Sequence, residues 1–282
     1  MDSLIAELLL LRKRVGNWVL LGFWLFMAIL FSYLLPYYAY TSDLNFHGRG
    51  VGAVLLIALL PQNLVANITN SFPFFGGTMV LIMGALAMGS EYNWGTLTPA
   101  FTQRAGRLKV FFAKMLALAI ALVPFVLLVF LLAFLASVSI SWREGQPIEL
   151  PPLWDLLRAL AAGWFLLAVW AAFGVFLAVL SRGTALAIGL GIIYGLVIEG
   201  IISSFGRQID LLKQISTVLL RTNGYSLISS LGVTLPSEAG PGGFSGDSVS
   251  GTQAALVLAG CLIVFIAISA AVIRRRDVTG AS

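Results

Sequence analysis

The sequence has few of the residues on which soluble enzymes rely. Charged side chains make up only 10% of its 282 residues, compared with about a quarter in soluble domains. It has one cysteine, Cys261, and one histidine, His47. A disulfide framework within the chain is therefore excluded, and a metal site built from histidine and cysteine is implausible. We predict that this chain binds no cofactor of its own.

A nucleotide-binding motif is also absent from the sequence. The chain has no Gly-x-x-x-x-Gly-Lys-Ser/Thr phosphate loop, by which many ATPases hold nucleotide, and no polar segment long enough to form a separate ATP-binding domain. We therefore predict that it is not itself an enzyme. The net charge of +5 is interpreted as membrane topology, because basic residues accumulate on the cytoplasmic side. We predict no nucleic-acid partner.

Apolar residues dominate what remains. They make up 59% of the chain, the mean hydropathy is +0.97, and a membrane-spanning helix needs about 20 consecutive apolar residues. The sequence predicts an all-α polytopic membrane protein with six transmembrane helices in a single domain covering residues 15–273. The predicted spans are 15–37, 74–90, 110–139, 153–180, 184–203 and 252–273, with outer segments 38–73, 141–152 and 204–251 and a cytoplasmic tail 274–282.

The first 14 residues predict a short helix on the membrane surface. Leu4, Ile5, Leu8 and Leu11 recur at helical spacing, and Glu7 falls elsewhere on the helical wheel. This pattern is typical of an amphipathic interfacial helix. A basic cluster follows it at residues 12–14, whereas a cleavable signal peptide carries its positive charge first.

Residues 51–72 are the ambiguous stretch. They begin apolar but then carry Pro61, Asn67 and Asn70, and an unpaired polar group in hydrocarbon costs several kcal/mol. We expect this stretch to lie at the outer surface or to dip into it. A seventh span would also move four basic residues outside, against the positive-inside rule; they are Arg104, Arg107, Lys109 and Lys114. With six spans and the N-terminus inside, most of the 17 basic residues lie inside.

Residues 91–114 are the most informative segment. Glu91 lies where the second predicted span ends, and Gly95 allows a sharp turn. Thr98 followed by Pro99 is a favourable helix start, with a capping hydroxyl and a proline in the first turn. The segment therefore predicts a short helix from Pro99 to about residue 103, parallel to the membrane on the inner side.

This segment resembles the membrane subunit of ABC-2-type transporters. Those permeases carry an acid at the end of the second span, a Gly-Thr-Leu sequence, a short coupling helix, an arginine, and a lysine early in the third span. The matching residues are Glu91, Gly95, Thr96, Leu97, Thr102, Arg107 and Lys114, and Pro99 lies within the same segment. Arg104 stands where such sequences often have proline, and Gly106 where they often have serine.

The resemblance implies a permease subunit of an ATP-driven exporter. Two such subunits, as a homodimer or a pair of related chains, enclose a path at their interface. Two copies of a cytoplasmic ABC ATPase bind the coupling helices and carry the ATP and Mg²⁺. The apolar spans favour an apolar or amphipathic substrate. The expected location is among the lipids of a prokaryotic plasma membrane, with multiple passes and both termini cytoplasmic.

Three further residues are candidates for function or packing. Glu199 lies near the outer end of the fifth span, and an acid within a span suggests a gate or a substrate path; pairing with the nearby Arg207 is the structural alternative. Gly191 and Gly195 form a Gly-x-x-x-Gly pattern that lets another helix approach closely. For Glu91 the structural alternative is pairing with the basic residues at 12–14.

Two other function classes stay open. A self-contained secondary transporter or channel usually places several ionisable groups or broken helices at mid-membrane, whereas the predicted span centres here are almost free of charge. A non-transport membrane scaffold needs no such groups and is harder to exclude. The coupling segment and the missing phosphate loop favour the permease.

Overall fold

A computed structural model describes residues 2–42, 51–93, 106–205, 209–231 and 249–275. This described part is helical and contains no strand. The predicted fold class is confirmed, because six of its helices are long and apolar enough to cross a membrane. These are span 1 (Val15–Thr41), span 2 (Pro61–Glu91), span 3 (Leu108–Arg143), span 4 (Leu153–Ser181), span 5 (Thr184–Ile202) and span 6 (Gly251–Arg275).

Four shorter helices accompany the spans. They are the N-terminal helix (Asp2–Lys13), a helix before span 2 (Val51–Leu59), a short helix after span 5 (Asp210–Ser216), and a helix that we call the outer helix (Leu220–Ser229). Three spans contain a wider π-helical turn: Leu30–Leu34 in span 1, Phe72–Gly76 in span 2 and Ile193–Ile198 in span 5. Span 2 opens with a 3₁₀ turn, Pro61–Asn63, and a short α-helix, Leu64–Thr69, before its longest segment, Gly77–Asn93.

Spans 2 and 4 form the centre of the bundle. In their most apolar windows 67% of the residues are buried, compared with 17–33% in the other four spans. Glycines allow the two helices to approach backbone to backbone. A Cβ atom added to Gly84 would lie 2.2 Å from the carbonyl oxygen of Ala171, and one added to Gly174 would lie 2.1 Å from that of Leu81. Such small-residue packing is how membrane helices gain close contact without a hydrophobic driving force.

The second span begins earlier than the sequence predicts. It starts at Pro61 rather than at residue 74, and residues 61–72, expected at the outer surface, pack inside the bundle against spans 3 and 4. Several polar side chains of this stretch have hydrogen-bond partners. The Asn67 amide donates to the carbonyl of Ser32 in span 1 at 2.8 Å, and Thr69 and Ser71 donate to carbonyls of their own helix. These bonds lower the cost that argues against burial.

Proline explains why a carbonyl is available at Ser32. Pro36 has no backbone N–H, so it cannot bond the carbonyl four residues earlier, which is that of Ser32. A similar contact lies beside the proline of span 3. The Trp164 indole N–H of span 4 donates to the Ala119 carbonyl at 2.8 Å, in the turn before Pro124. Side chains of neighbouring spans thus bond backbone groups next to both prolines.

The N-terminal helix packs along span 3. Leu11 is buried, while Ile5 and Leu9 are exposed, as a helix with one apolar face against the bundle requires. Glu7 departs from the predicted wheel, because only 8% of its surface is exposed and it lies on the buried face. The reason for this placement is a lysine of span 3 at the predicted inner end of the bundle.

Candidate functional site

Three charged side chains meet at the predicted inner end of the bundle. The Lys114 ammonium, in the first turns of span 3, lies 2.5 Å from a carboxylate oxygen of Glu7 and 2.5 Å from one of Glu91. Glu7 comes from the N-terminal helix and Glu91 from the last turn of span 2. Lys114 is only 3% exposed. We call these three residues the inner ion cluster.

The inner ion cluster is balanced by a nearby arginine. Two carboxylates share one ammonium, and the Arg14 guanidinium, which interacts electrostatically with Glu91, donates a hydrogen bond to the Leu86 carbonyl at 2.7 Å. Arg14 follows the N-terminal helix, so that helix is bound to the spans at its middle, through Glu7, and just after its C-terminal end. Removing one member of a buried charge group is strongly destabilising, by about 3–5 kcal/mol, because its partner is left uncompensated.

The inner ion cluster brackets the predicted coupling segment. Two of the predicted coupling residues, Glu91 and Lys114, lie in the cluster, on either side of residues 94–105. Arg107 opens the helix of span 3. The other predicted coupling residues lie outside the described part of the chain, so the coupling helix stays a prediction; they are Gly95, Thr96, Leu97, Pro99, Thr102 and Arg104. Glu91 and Lys114 thus bind each other and Glu7 inside the bundle.

A second polar group lies around Glu199. This carboxylate is fully buried, and its two oxygens accept the backbone N–H of Arg221 at 2.9 and 3.1 Å. The Arg221 Nε atom lies 3.9 Å from the same carboxylate. The Tyr194 hydroxyl accepts the N–H of Leu220 at 3.2 Å and is hydrogen-bonded to Glu199. The alternative partner, Arg207, lies outside the described residues.

Glu199, which belongs to span 5, caps the N-terminus of the outer helix. The residue before that helix, Leu219, offers no side-chain hydrogen bond, so the first N–H groups need partners from elsewhere. A carboxylate is the favoured partner because the helix N-terminus carries partial positive charge. Burial lowers the pKa of the Arg221 guanidinium from its ordinary value, and the Glu199 carboxylate opposes this shift by raising it.

Sequence reasoning missed the burial of the outer helix. Its polar composition in a long loop indicates a surface segment, yet four of its six polar residues are almost inaccessible; they are Arg221, Asn223, Tyr225 and Ser226. The helix packs against spans 4 and 6 and the π-helical turn of span 2. The unexplained buried acid at Glu199 was the one signal that a polar partner had to be present.

The glycine pair of span 5 lies against the centre of the same chain. A Cβ atom added to Gly191 would come within 2.5 Å of the Leu81 side chain in span 2, and one added to Gly195 within 3.6 Å of the Trp170 ring in span 4. The helices that approach the glycine pair are therefore spans 2 and 4 of the same chain.

Among the described residues, no three His, Cys, Asp or Glu side chains come together as a metal site would require. A family model described as a protein of unknown function, DUF2705, matches residues 25–279. The chain belongs to the DUF2705 family. No curated protein matches it. The DUF2705 match covers Glu91, Lys114, Glu199 and the outer helix, while Glu7 precedes it.

Proposed function

We propose that this DUF2705 protein is the transmembrane permease subunit of an ATP-driven exporter of the ABC-2 type. It supplies part of the path, and a separate cytoplasmic ATPase, in two copies, supplies ATP hydrolysis with its bound ATP and Mg²⁺. A second permease subunit, identical or related, completes the path. The complex lies in a prokaryotic plasma membrane, with both termini of this chain cytoplasmic.

The inner ion cluster is the observation that carries this proposal. A coupling segment must pass a displacement on to the spans, and it can do so only if both of its ends are firmly held. Glu91, before residues 94–105, and Lys114, after them, bind each other at one buried point, and Glu7 adds the N-terminal helix to it. Since breaking such a group costs about 3–5 kcal/mol, far above thermal energy, the three elements move as a unit.

The position of span 2 supports the same function. Span 2 runs from Glu91 into the centre of the bundle, where Gly84 brings it against the backbone of span 4. A displacement of its inner end therefore reaches the best-packed part of the molecule. Close-packed helices transmit such movements because their interfaces do not deform gradually.

The charges of the described spans favour ATP-driven transport over ion coupling. A secondary transporter needs ionisable groups available to bind protons or sodium ions near the bilayer midplane. Lys114 and Glu91 lie near the inner ends of their spans and bind each other, and Glu199 is occupied by the outer helix. Away from the ends of the spans, the large exposed side chains are apolar, which suits an apolar or amphipathic substrate.

Co-purification tests the proposal. The tagged chain is extracted from its native membrane in mild detergent, and the accompanying chains are identified. We expect a stoichiometric chain that carries a phosphate loop, with ATP turnover in the complex. A chain that purifies alone as a well-behaved oligomer would instead favour the channel or scaffold.

The same assay tests the docking role of the coupling segment. Arg107→Glu should lower the yield of the ATPase at least fivefold, or about 1 kcal/mol, since it places like charge against a complementary surface. Arg158→Glu is the matched control, because it is the same reversal at an exposed arginine of the opposite end. Equal yields from both variants would count against docking at Arg107.

A further inference from the structure

The outer helix is an unusual occupant of an apolar bundle. Its ten residues include an arginine and several other polar side chains, and seven of the ten are buried. Burying polar groups is unfavourable unless they find partners. The polar contacts of this helix therefore add to apolar burial in holding it in place.

We propose that the outer helix is the gate that closes the outer end of the path, and that Glu199 is the positioning residue that latches it. This inference rests on the proposed function, because a gate requires a transport path. It goes further by naming the moving element and the side chain that controls it.

The latch consists of two side chains of span 5 that bind backbone N–H groups in the first turn of the outer helix. The N–H of Leu220 is bonded by the Tyr194 hydroxyl and the N–H of Arg221 by the Glu199 carboxylate. These are two of the N–H groups that a helix start leaves unpaired. The Arg221 guanidinium also lies over the Phe74 ring of span 2, with 5.5 Å from Cζ to the ring centre. The helix is thus held from both sides.

The contacts on both sides of the outer helix come from irregular turns of the spans or directly next to one. Phe74 lies in the π-helical turn of span 2, Tyr194 in that of span 5, and Glu199 directly follows the latter. A π-helical turn is a rare, wider turn that is frequent at functional sites, and it is the place where a helix can change register. A change of register in either span would alter the contacts of Phe74 or of Glu199 with the outer helix.

Span 2 connects this gate to the inner ion cluster. Its chain runs from the π-helical turn Phe72–Gly76 through Gly77–Asn93, which contains Glu91. A displacement that begins at the coupling segment therefore travels along a single helix to the side of the outer helix that faces Arg221. No second pathway through the bundle is needed.

Thiol accessibility tests the gate. Cys261→Ser removes the one native cysteine, and Ser226→Cys then places a reporter on the buried face of the outer helix. A membrane-impermeant maleimide is added outside intact cells, and the labelling rate is compared among this parent, the same chain with Glu199→Gln, and the same chain with Glu149→Gln. Glu149 is the matched control, being an exposed acid at the same end.

We expect Glu199→Gln to be labelled about tenfold faster or more, because hydrogen bonds to a charged group are among the stronger ones. Glu149→Gln should be labelled at the parent rate. Tyr194→Phe, a milder change that removes one hydroxyl, should raise the labelling rate about fivefold. It replaces Glu199→Gln in the test if that variant fails to fold. Labelling of both span 5 variants at the parent rate would overturn the latch.

The second arm uses the complex with its ATPase in lipid nanodiscs. ATP with vanadate should raise the labelling rate of the parent towards that of Glu199→Gln. The labelling rate of Glu199→Gln itself should no longer change when nucleotide is added. If the complex turns over ATP but the labelling rate of the parent does not change with nucleotide, the gate is overturned while the proposed function stands. Absence of any ATPase would overturn the proposed function, and the gate with it, whereas labelling in cells would still report on the latch.

Discussion

At the scale of single residues, Lys114 is the side chain on which the inner end depends. Lys114→Met removes the one ammonium between two buried carboxylates, so the free energy of unfolding should fall by about 3–5 kcal/mol. Thermal unfolding of the detergent-solubilised protein, followed by size-exclusion chromatography, measures the loss. Lys109→Met is the control, because Lys109 is exposed in the same helix and should change stability by about 0.5 kcal/mol at most. Equal melting temperatures would show that the cluster carries no stability.

Part of this cluster could be predicted from sequence and part could not. Glu91 and Lys114 were singled out by the resemblance to ABC-2 permeases, but their pairing with each other was not predicted. Glu7 was not singled out, because an isolated acid on an amphipathic helix normally faces water, and its partner lies 107 residues away. Only the packing of the N-terminal helix on span 3 brings the two together. The basic residues at 12–14 were considered as partners of Glu91. Of these, Arg14 interacts electrostatically with Glu91, whereas the direct ion pair is with Lys114.

At the scale of elements, the contact beside Pro36 makes a testable prediction. Asn67→Ala leaves the buried Ser32 carbonyl without its side-chain donor, so stability should fall by about 1–3 kcal/mol. In a Pro36→Ala background the backbone regains an N–H for that turn, and the same Asn67 change should cost about 1 kcal/mol less. A double-mutant cycle on thermal unfolding measures the difference. Additive effects would mean that proline and asparagine act independently.

The close approach of spans 2 and 4 at Gly174 makes a second prediction about stability. Gly174→Ala would put a methyl group 2.1 Å from the Leu81 carbonyl oxygen, so spans 2 and 4 must separate, and we expect a loss of about 1–3 kcal/mol or more. Gly260→Ala is the matched control in span 6, where an added Cβ meets nothing within 4 Å. Alanine there should stabilise the helix slightly. Similar melting temperatures for both variants would contradict the close approach.

Span boundaries illustrate what local sequence can and cannot predict. Five spans were predicted within a few residues, because the thickness of the hydrocarbon core fixes the length of an apolar helix. Span 2 was predicted to begin 13 residues too late, at residue 74 instead of Pro61. Burial of Asn67 looks costly only while its partner is unknown, and that partner belongs to another span. The outer helix was missed for the same reason, since Glu199 of span 5 accepts the backbone N–H of Arg221.

At the scale of the whole molecule, the two polar groups are both in contact with one central helix. Span 2 has Glu91 at its inner end, and Phe74, in its π-helical turn, lies under the Arg221 guanidinium. Between them it is packed against span 4 through Gly84. This arrangement lets a single helix join the inner ion cluster to the outer helix. Such a connection is what the proposed gate requires.

The orientation of the bundle is the last prediction, and the proposed function depends on it. Basic residues concentrate at the end that holds the inner ion cluster; they include Arg12, Lys13, Arg14, Arg182, Arg274 and Arg275. The positive-inside rule therefore places that end in the cytoplasm. In a Cys261→Ser background, an impermeant maleimide should label Glu149→Cys in intact cells but should label Arg274→Cys only after permeabilisation. Both sites are exposed, so accessibility alone cannot cause the difference. The reverse pattern would place residues 94–105 outside the cell, where no cytoplasmic ATPase could reach them.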